Sequence, residues 1–194
     1  MSTDEYIEIK RFNDDINYEL SIVENWLFVM HLTFKDEKLR NDPTETTRRI
    51  KKVRSCISGV CKFYGVRFSD LNIFIKEEFK KDNYHIHALL GRPNALHGKV
   101  STDTFRISLL ESWSAFCKDG SRRIGEGSIR SVDNDKMDIE YTAKMIDHRV
   151  KKRCFSMYWA SKRLEKSVRI NLKLFKKWCC KSSDEPTLKH TILL

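Results

Sequence analysis

The alternation of apolar and polar blocks along the chain predicts strands and helices in a mixed order. Residues 25–35, with the run WLFVMHLTF at 26–34, are apolar at odd and even positions alike, as in a strand covered on both faces inside a sheet. Asp42-Pro43-Thr44-Glu45 predicts a helix start, with Asp42 as cap, Pro43 at the first helical position and Glu45 closing a capping box. That helix runs to about Tyr64 and presents Ile50, Val53, Ile57, Val60 and Tyr64 on one face. Residues 71–79 and 84–91 read as two strands of a hairpin across a polar KKDN turn. A second helix at about 102–118 carries Phe105, Leu109, Trp113 and Phe116 at helical spacing, and 126–132 reads as a short strand. A third helix at about 137–150, a strand at 154–159 and a last helix at about 162–180 complete the pattern. The order β-α-β-β-α-β-α with a hairpin predicts an α+β fold, a central antiparallel sheet flanked by helices. With 7 Gly, 3 Pro and no repeat or low-complexity linker, one domain is expected over 23–181. Residues 1–22 would form a poorly ordered or loosely attached acidic arm and 182–194 a tail.

The hairpin carries the first candidate chemistry. His85 and His87 are separated by one residue, so in a strand both imidazoles share a face while Ile86 points the other way. Two imidazoles so placed can grip one metal ion. If Phe79 lies opposite Tyr84, Glu78 sits across from His85 and converges on the pair. This register puts Ile73, Ile75 and Phe79 on the face of Tyr84, Ile86, Ala88 and Leu90, and gathers Lys76, Glu78, His85 and His87 on the other. The competing register would use Glu77 and set Ile73 and Ile75 among the histidines, so Glu78 is preferred. Two imidazoles and one carboxylate with open positions suit Mg²⁺ or Mn²⁺ engaged with phosphate oxygens, and the imidazoles would accept Zn²⁺ as well.

The third helix, MDIEYTAKMIDHRV, has an apolar stripe of Ile139, Ala143, Ile146 and Val150. At about 100° per residue, Tyr141, Lys144 and His148 fall within about 60° of one another on the far side. A phenol that attacks phosphorus needs that exposure, and a nearby cation favours phenolate and holds the phosphate.

Composition bears on the partner. The chain has 37 Lys+Arg against 27 Asp+Glu, a formal net charge of +10. Residues 144–181 hold 13 basic and 2 acidic side chains, and the rest of the chain is nearly neutral. Such asymmetry points to a polyanion, nucleic acid first. In the last helix Leu164, Val168, Leu172, Phe175 and Cys179 form an apolar stripe, and Lys162, Lys166, Arg169, Lys173, Lys176 and Lys177 face away from it. With Arg149, Lys151, Lys152, Arg153 and Arg163 these groups are candidate phosphate contacts. An amphipathic basic helix can also lie on an anionic membrane. Trp26, Trp113, Trp159 and Trp178 are base-stacking candidates, with core packing the stronger expectation for each. The N-terminus lacks the layout of a signal peptide, and no apolar run approaches a bilayer-spanning length. Six cysteines without a CxxC pair read as reduced thiols, which fits a cytoplasmic setting.

The set FVMHLTF (28–34), HIH (85–87) with an upstream Glu, and YTAK (141–144) resembles the HUH endonuclease superfamily, most of all its one-tyrosine rolling-circle replication initiators, or Rep proteins, of phages, plasmids and single-stranded DNA viruses. RCFSMYWASKRL (153–164) is similar to the segment that follows the tyrosine helix in such proteins. The resemblance covers about residues 25–165. It implies a ferredoxin- or RRM-like palm with the histidines on a central strand, and a divalent cation held by His85, His87 and Glu78. It also implies that Tyr141 attacks the scissile phosphate of single-stranded DNA or an origin hairpin, leaving a 5′-phosphotyrosine and a 3′-hydroxyl primer. Lys144 would orient the phosphate or lower the tyrosine's pKa. Position 145 is Met and 148 is His, so a second nucleophilic tyrosine is absent, and there is no GxxxxGK[ST] helicase motif. A host helicase and polymerase would therefore be partners of a monomer or weak homodimer. A single-strand transposase or plasmid relaxase is the neighbouring reading, although many such transposases have Gln where Met145 stands. A non-catalytic DNA-binding or repressor protein is the reading from another class.

Overall fold

The computed structural model describes residues 26–80, 83–115, 123–132 and 158–161, with Asp14, Asn17, Tyr18, Leu20, Ser21, Ile139 and Thr142; of Lys80 and Tyr158–Ala160 it describes the backbone alone. Five strands, β1 (Trp26–Leu32), β2 (Asn72–Lys80), β3 (Asn83–Gly91), β4 (Gly127–Ser131) and β5 (Tyr158–Ala160), form one sheet in the order β4-β1-β3-β2-β5. Every neighbouring pair is antiparallel. Three α-helices are described along their whole length: α1 (Glu37–Asn41), α2 (Thr46–Phe63) and α3 (Thr102–Ser114); Asp14, Asn17, Tyr18, Leu20 and Ser21 are helical as well. The architecture is α+β, as the element order predicts. No described helix is long and apolar enough to cross a membrane.

The sheet is covered on one side by helices. Phe28, Met30 and Leu32 of β1, Ile73 and Ile75 of β2, and Ile86, Ala88 and Leu90 of β3 alternate onto that face and are buried with Ile129 of β4. Against them pack Ile50, Val53, Ile57 and Val60 of α2 and Phe105, Leu109 and Trp113 of α3, the residues that helical periodicity selects. Trp113 is fully buried, and its indole N–H donates to the carbonyls of Thr33 and Glu126, both at 3.2 Å. Trp26 is also buried and donates to the carbonyl of Leu20 at 2.8 Å. Both tryptophans are core residues. The side chains of Trp159 and Trp178, and the predicted helices over 137–150 and 162–180, lie outside the described residues apart from Ile139 and Thr142, which are helical.

Local chemistry explains the departures from expectation. Asp42 does cap, accepting from the Thr44 N–H at 2.8 Å, but it caps a 3-10 turn over Pro43–Glu45 that precedes α2. The capping box does not form: the Asp42 N–H it would use donates to the Lys38 carbonyl at 2.9 Å, and Glu45 lies 3.4 Å from Arg48. The short helix α1 was not expected; Asp36 starts it by accepting from the Lys38 and Leu39 N–H groups. At the other end of α2, Gly65 takes a φ of +64°, and the Val66 and Gly65 N–H groups return to the carbonyls of Cys61 and Lys62. These are the two hydrogen bonds of a Schellman cap, and a left-handed glycine accommodates it without a Cβ clash. Strand β1 ends at Leu32 rather than 35, where Thr33 and Lys35 leave the ladder to donate to the carbonyls of Glu126 and Ile124.

Candidate metal centre

The face of the sheet opposite α2 and α3 changes from apolar to polar along its length. Val29, Leu89 and Phe74 make one row across β1, β3 and β2. The next row in the same parity is His31, His87 and Lys76, and beyond it Glu78 lies opposite His85. All of these polar groups therefore leave the sheet on one side, because alternate residues share a face. The ladder runs Phe79 to Tyr84, Glu78 to His85 and Glu77 to Ile86, which is the register that the hydrophobic pattern favours. The ladder extends to the pair Lys80 and Asn83.

Glu78 Oε2 lies 3.1 Å from His87 Nε2 and 3.5 Å from His85 Nε2, with Lys76 Nζ at 3.9 Å. His85, His87 and Lys76 are buried. Glu77 points to the helical face, where it pairs with Arg49 at 2.6 Å. It is thus separated from the histidines by the sheet itself, and Glu78 is the carboxylate at the centre.

Sequence reasoning missed one member. His31 of β1 lies directly across from His87. Its ring stacks on that of His87 at 4.7 Å and meets His85 edge-on at 5.2 Å. The available ligand atoms of His31, His85 and His87 all fall within 4.8 Å of one another. The signal was present, since His31 is the one polar residue in the strand WLFVMHL. It was hidden by reading that run for its apolar character alone.

The electrostatics suit a cation. Contacts with His85 and then His87 hold the Glu78 carboxyl far below the usual carboxylate range, against the opposing effect of burial; Lys76 acts in the same direction. Burial pushes the His87 imidazole down to about 4, outweighing the pull of Glu78 in the other direction. Near neutral pH the centre therefore combines an ionised carboxylate with a neutral imidazole, the protonation states that ligate metal. Glu78 Oε2 is buried between the two imidazoles, and its contacts with them fall short of good hydrogen-bond geometry. A buried acceptor of this kind is costly unless something positive meets it. A divalent ion held by Glu78, His85 and His87 would satisfy that oxygen, so the residues present fit a metal. Lys76 balances the charge of Glu78, and a bound divalent ion would leave the centre net positive, a setting that favours an anionic ligand.

Tyr141 and Lys144 lie outside the described residues, as do His148, Arg149, Lys151, Lys152, Arg153, Lys162 and Arg163. Between the two helix candidates, Thr142 is helical and fully buried. Comparison of the chain with protein-family models, with curated proteins and with solved structures gave no match.

Proposed function

We propose that the chain is a metal-dependent, sequence-specific single-strand DNA endonuclease and strand transferase of HUH type that initiates rolling-circle replication. The observation that carries this reading is the convergence of Glu78 Oε2 on both His85 and His87. Those are the ligands expected from the ordered motifs, and the sheet bearing them is read as the palm of that fold. The net positive charge that a bound divalent ion would give the centre supports a phosphodiester as its ligand.

His85, His87 and Glu78 would hold the cation, which would supply Lewis-acid polarisation of the scissile phosphate. Tyr141 is the nucleophile. Its phenolic oxygen forms a bond to phosphorus as the bond to the 3′-oxygen breaks, the phenolic proton passes to solvent or a base, and the leaving 3′-oxygen takes up a proton. The product is a 5′-phosphotyrosyl adduct with a free 3′-hydroxyl. Because the phosphodiester is exchanged rather than hydrolysed, attack by a 3′-hydroxyl rejoins the strand and frees Tyr141. Lys144, one turn along the sequence from Tyr141, stabilises phenolate and orients the phosphate. Arg149, Lys151, Lys152, Arg153, Lys162 and Arg163 hold the flanking strand through salt-sensitive phosphate contacts.

The test is incubation of the protein with a randomised pool of single-stranded oligonucleotides and Mn²⁺, followed by denaturing electrophoresis. The expected result is a covalent protein–DNA adduct that disappears in Tyr141→Phe and on chelation. Binding to the pool without any adduct would instead favour the non-catalytic DNA-binding reading. Cleavage by Tyr141→Phe would assign the nucleophile elsewhere.

A further inference from the structure

Two imidazoles and a carboxylate are enough to hold a divalent ion, yet the adjacent strand β1 places a third imidazole, His31, beside them. We propose that His31 is a fourth ligand of the centre, and that three nitrogens with one carboxylate oxygen select a nitrogen-seeking first-row ion such as Co²⁺, Ni²⁺ or Zn²⁺ over Mg²⁺. The inference rests on the metal-binding part of the function proposed above and not on its DNA chemistry.

The geometry argues for ligation over packing. His31, His87 and Lys76 form one row across β1, β3 and β2, and Glu78 and His85 form the row beside it, so the donors come from neighbouring points on a hydrogen-bonded lattice. The His31 and His87 planes are within 10° of parallel and stacked, so one of these two rings must turn before their in-plane lone pairs meet at one ion; His85 lies edge-on to both. The donor atoms of all three rings lie within 4.8 Å of one another, and Glu78 Oε2 stands 3.1 Å from His87 Nε2 and 3.5 Å from His85 Nε2. Ligation would require side-chain rotations that bring these donors to about 2.0–2.2 Å from one ion.

The donor types then decide which ion. Mg²⁺ prefers an octahedron of oxygens and gives up its waters reluctantly, so each imidazole in the set works against it. Imidazole suits zinc, copper, iron and nickel, and affinity for such donors rises along the first row. An ion that accepts six ligands would retain two positions for phosphate oxygens after all four side chains are engaged.

The experiment uses the full chain, stripped with a chelator and desalted. Co²⁺ is titrated by its visible absorption, and Mg²⁺ by competition against Co²⁺. We expect Co²⁺ to bind on the order of a hundredfold or more tighter than Mg²⁺. His31→Ala should weaken Co²⁺ about tenfold or more and alter its visible spectrum, while Mg²⁺ affinity moves by less than about threefold. His31→Gln fills similar space without an imidazole nitrogen and should lose the same Co²⁺ preference. An unchanged Co²⁺ affinity and spectrum in either folded variant overturns the proposal. So does an equal loss for both ions, which would make His31 a packing residue. A chain that shows the expected metal pattern but forms no adduct with DNA defeats the nuclease reading and leaves the four-ligand centre standing. Adduct formation with Co²⁺ affinity indifferent to His31 does the reverse.

Discussion

Arg49 and Glu77 form a buried ion pair, Nε to Oε2 at 2.6 Å, on the face of the sheet opposite Glu78. The guanidinium also donates to the carbonyls of Leu39 and Asp42 and to Thr46 Oγ1, and its carbon lies 3.9 Å from the centre of the Tyr84 ring. Glu77 and Tyr84 are the chain neighbours of Glu78 and His85. One arginine therefore braces both strands of the hairpin behind the centre.

A buried charge that loses its partner is costlier than a missing pair, because the remaining ion stays desolvated. Arg49→Met should destabilise the protein by about 3–5 kcal/mol, read from urea unfolding. Replacing both partners, as Arg49→Met with Glu77→Leu, should cost less than the sum of the two single changes. Strict additivity would mean that the pair is not coupled.

The two adjacent glutamates should separate by phenotype. Glu78→Gln keeps the shape but removes the charge from the centre, and Co²⁺ affinity should fall about tenfold or more. Glu77→Gln should chiefly lower the urea midpoint, because it leaves Arg49 without its ion-pair partner. Loss of metal affinity in a folded Glu77→Gln protein, with Glu78→Gln unaffected, would reverse the assignment of the carboxylate.

Burial pushes the Cys61 thiol up from 9.0 to about 12. Above pH 9 the unfolded chain releases this proton while the folded chain retains it, so unfolding becomes progressively easier up to the folded value. Stability contributed by Cys61 is thus complete below about pH 9 and lost as the pH rises beyond it. Urea midpoints at pH 8, 9 and 10 should fall more steeply for the parent chain than for Cys61→Ala. Equal slopes would show that the thiol ionises as readily in the fold as outside it.

Gly125 is held by space rather than by an unusual φ. A Cβ at that position would collide with the carbonyl of Thr33, a backbone group with no side-chain freedom to yield. Its neighbours Ile124 and Glu126 accept the hydrogen bonds from Lys35 and Thr33 that follow β1. Gly125→Ala should therefore cost about 1–3 kcal/mol, measured by thermal or urea unfolding. A neutral outcome would show that this loop shifts freely.

Periodicity made much of this fold legible. The α2 and α3 core faces and the hairpin register followed from which positions were apolar, since a slip of one residue would have turned Ile73 and Ile75 toward the histidines. Helix α1 was not legible, because five residues are too few to display a helical period and Asp36 alone marks the start. His31 escaped for a different reason. As the one polar residue of an apolar strand it stood out locally, but what it meets depends on β1 pairing beside β3, a long-range contact. Arg49 likewise occupies a helix position that charge alone would assign to solvent; the carboxylate and carbonyls that receive it come together only in the fold.

The order in which the strands join gives the centre a kinetic history. Glu78, His85 and His87 share one hairpin and lie within ten consecutive residues, whereas His31 is more than fifty residues upstream of His85. Hairpins form quickly because their loop is short, while docking β1 must first close a much longer loop. An ion present during refolding would thus meet three donors early and the fourth late. The change in Co²⁺ absorption as the last imidazole arrives would time the moment when β1 enters the sheet.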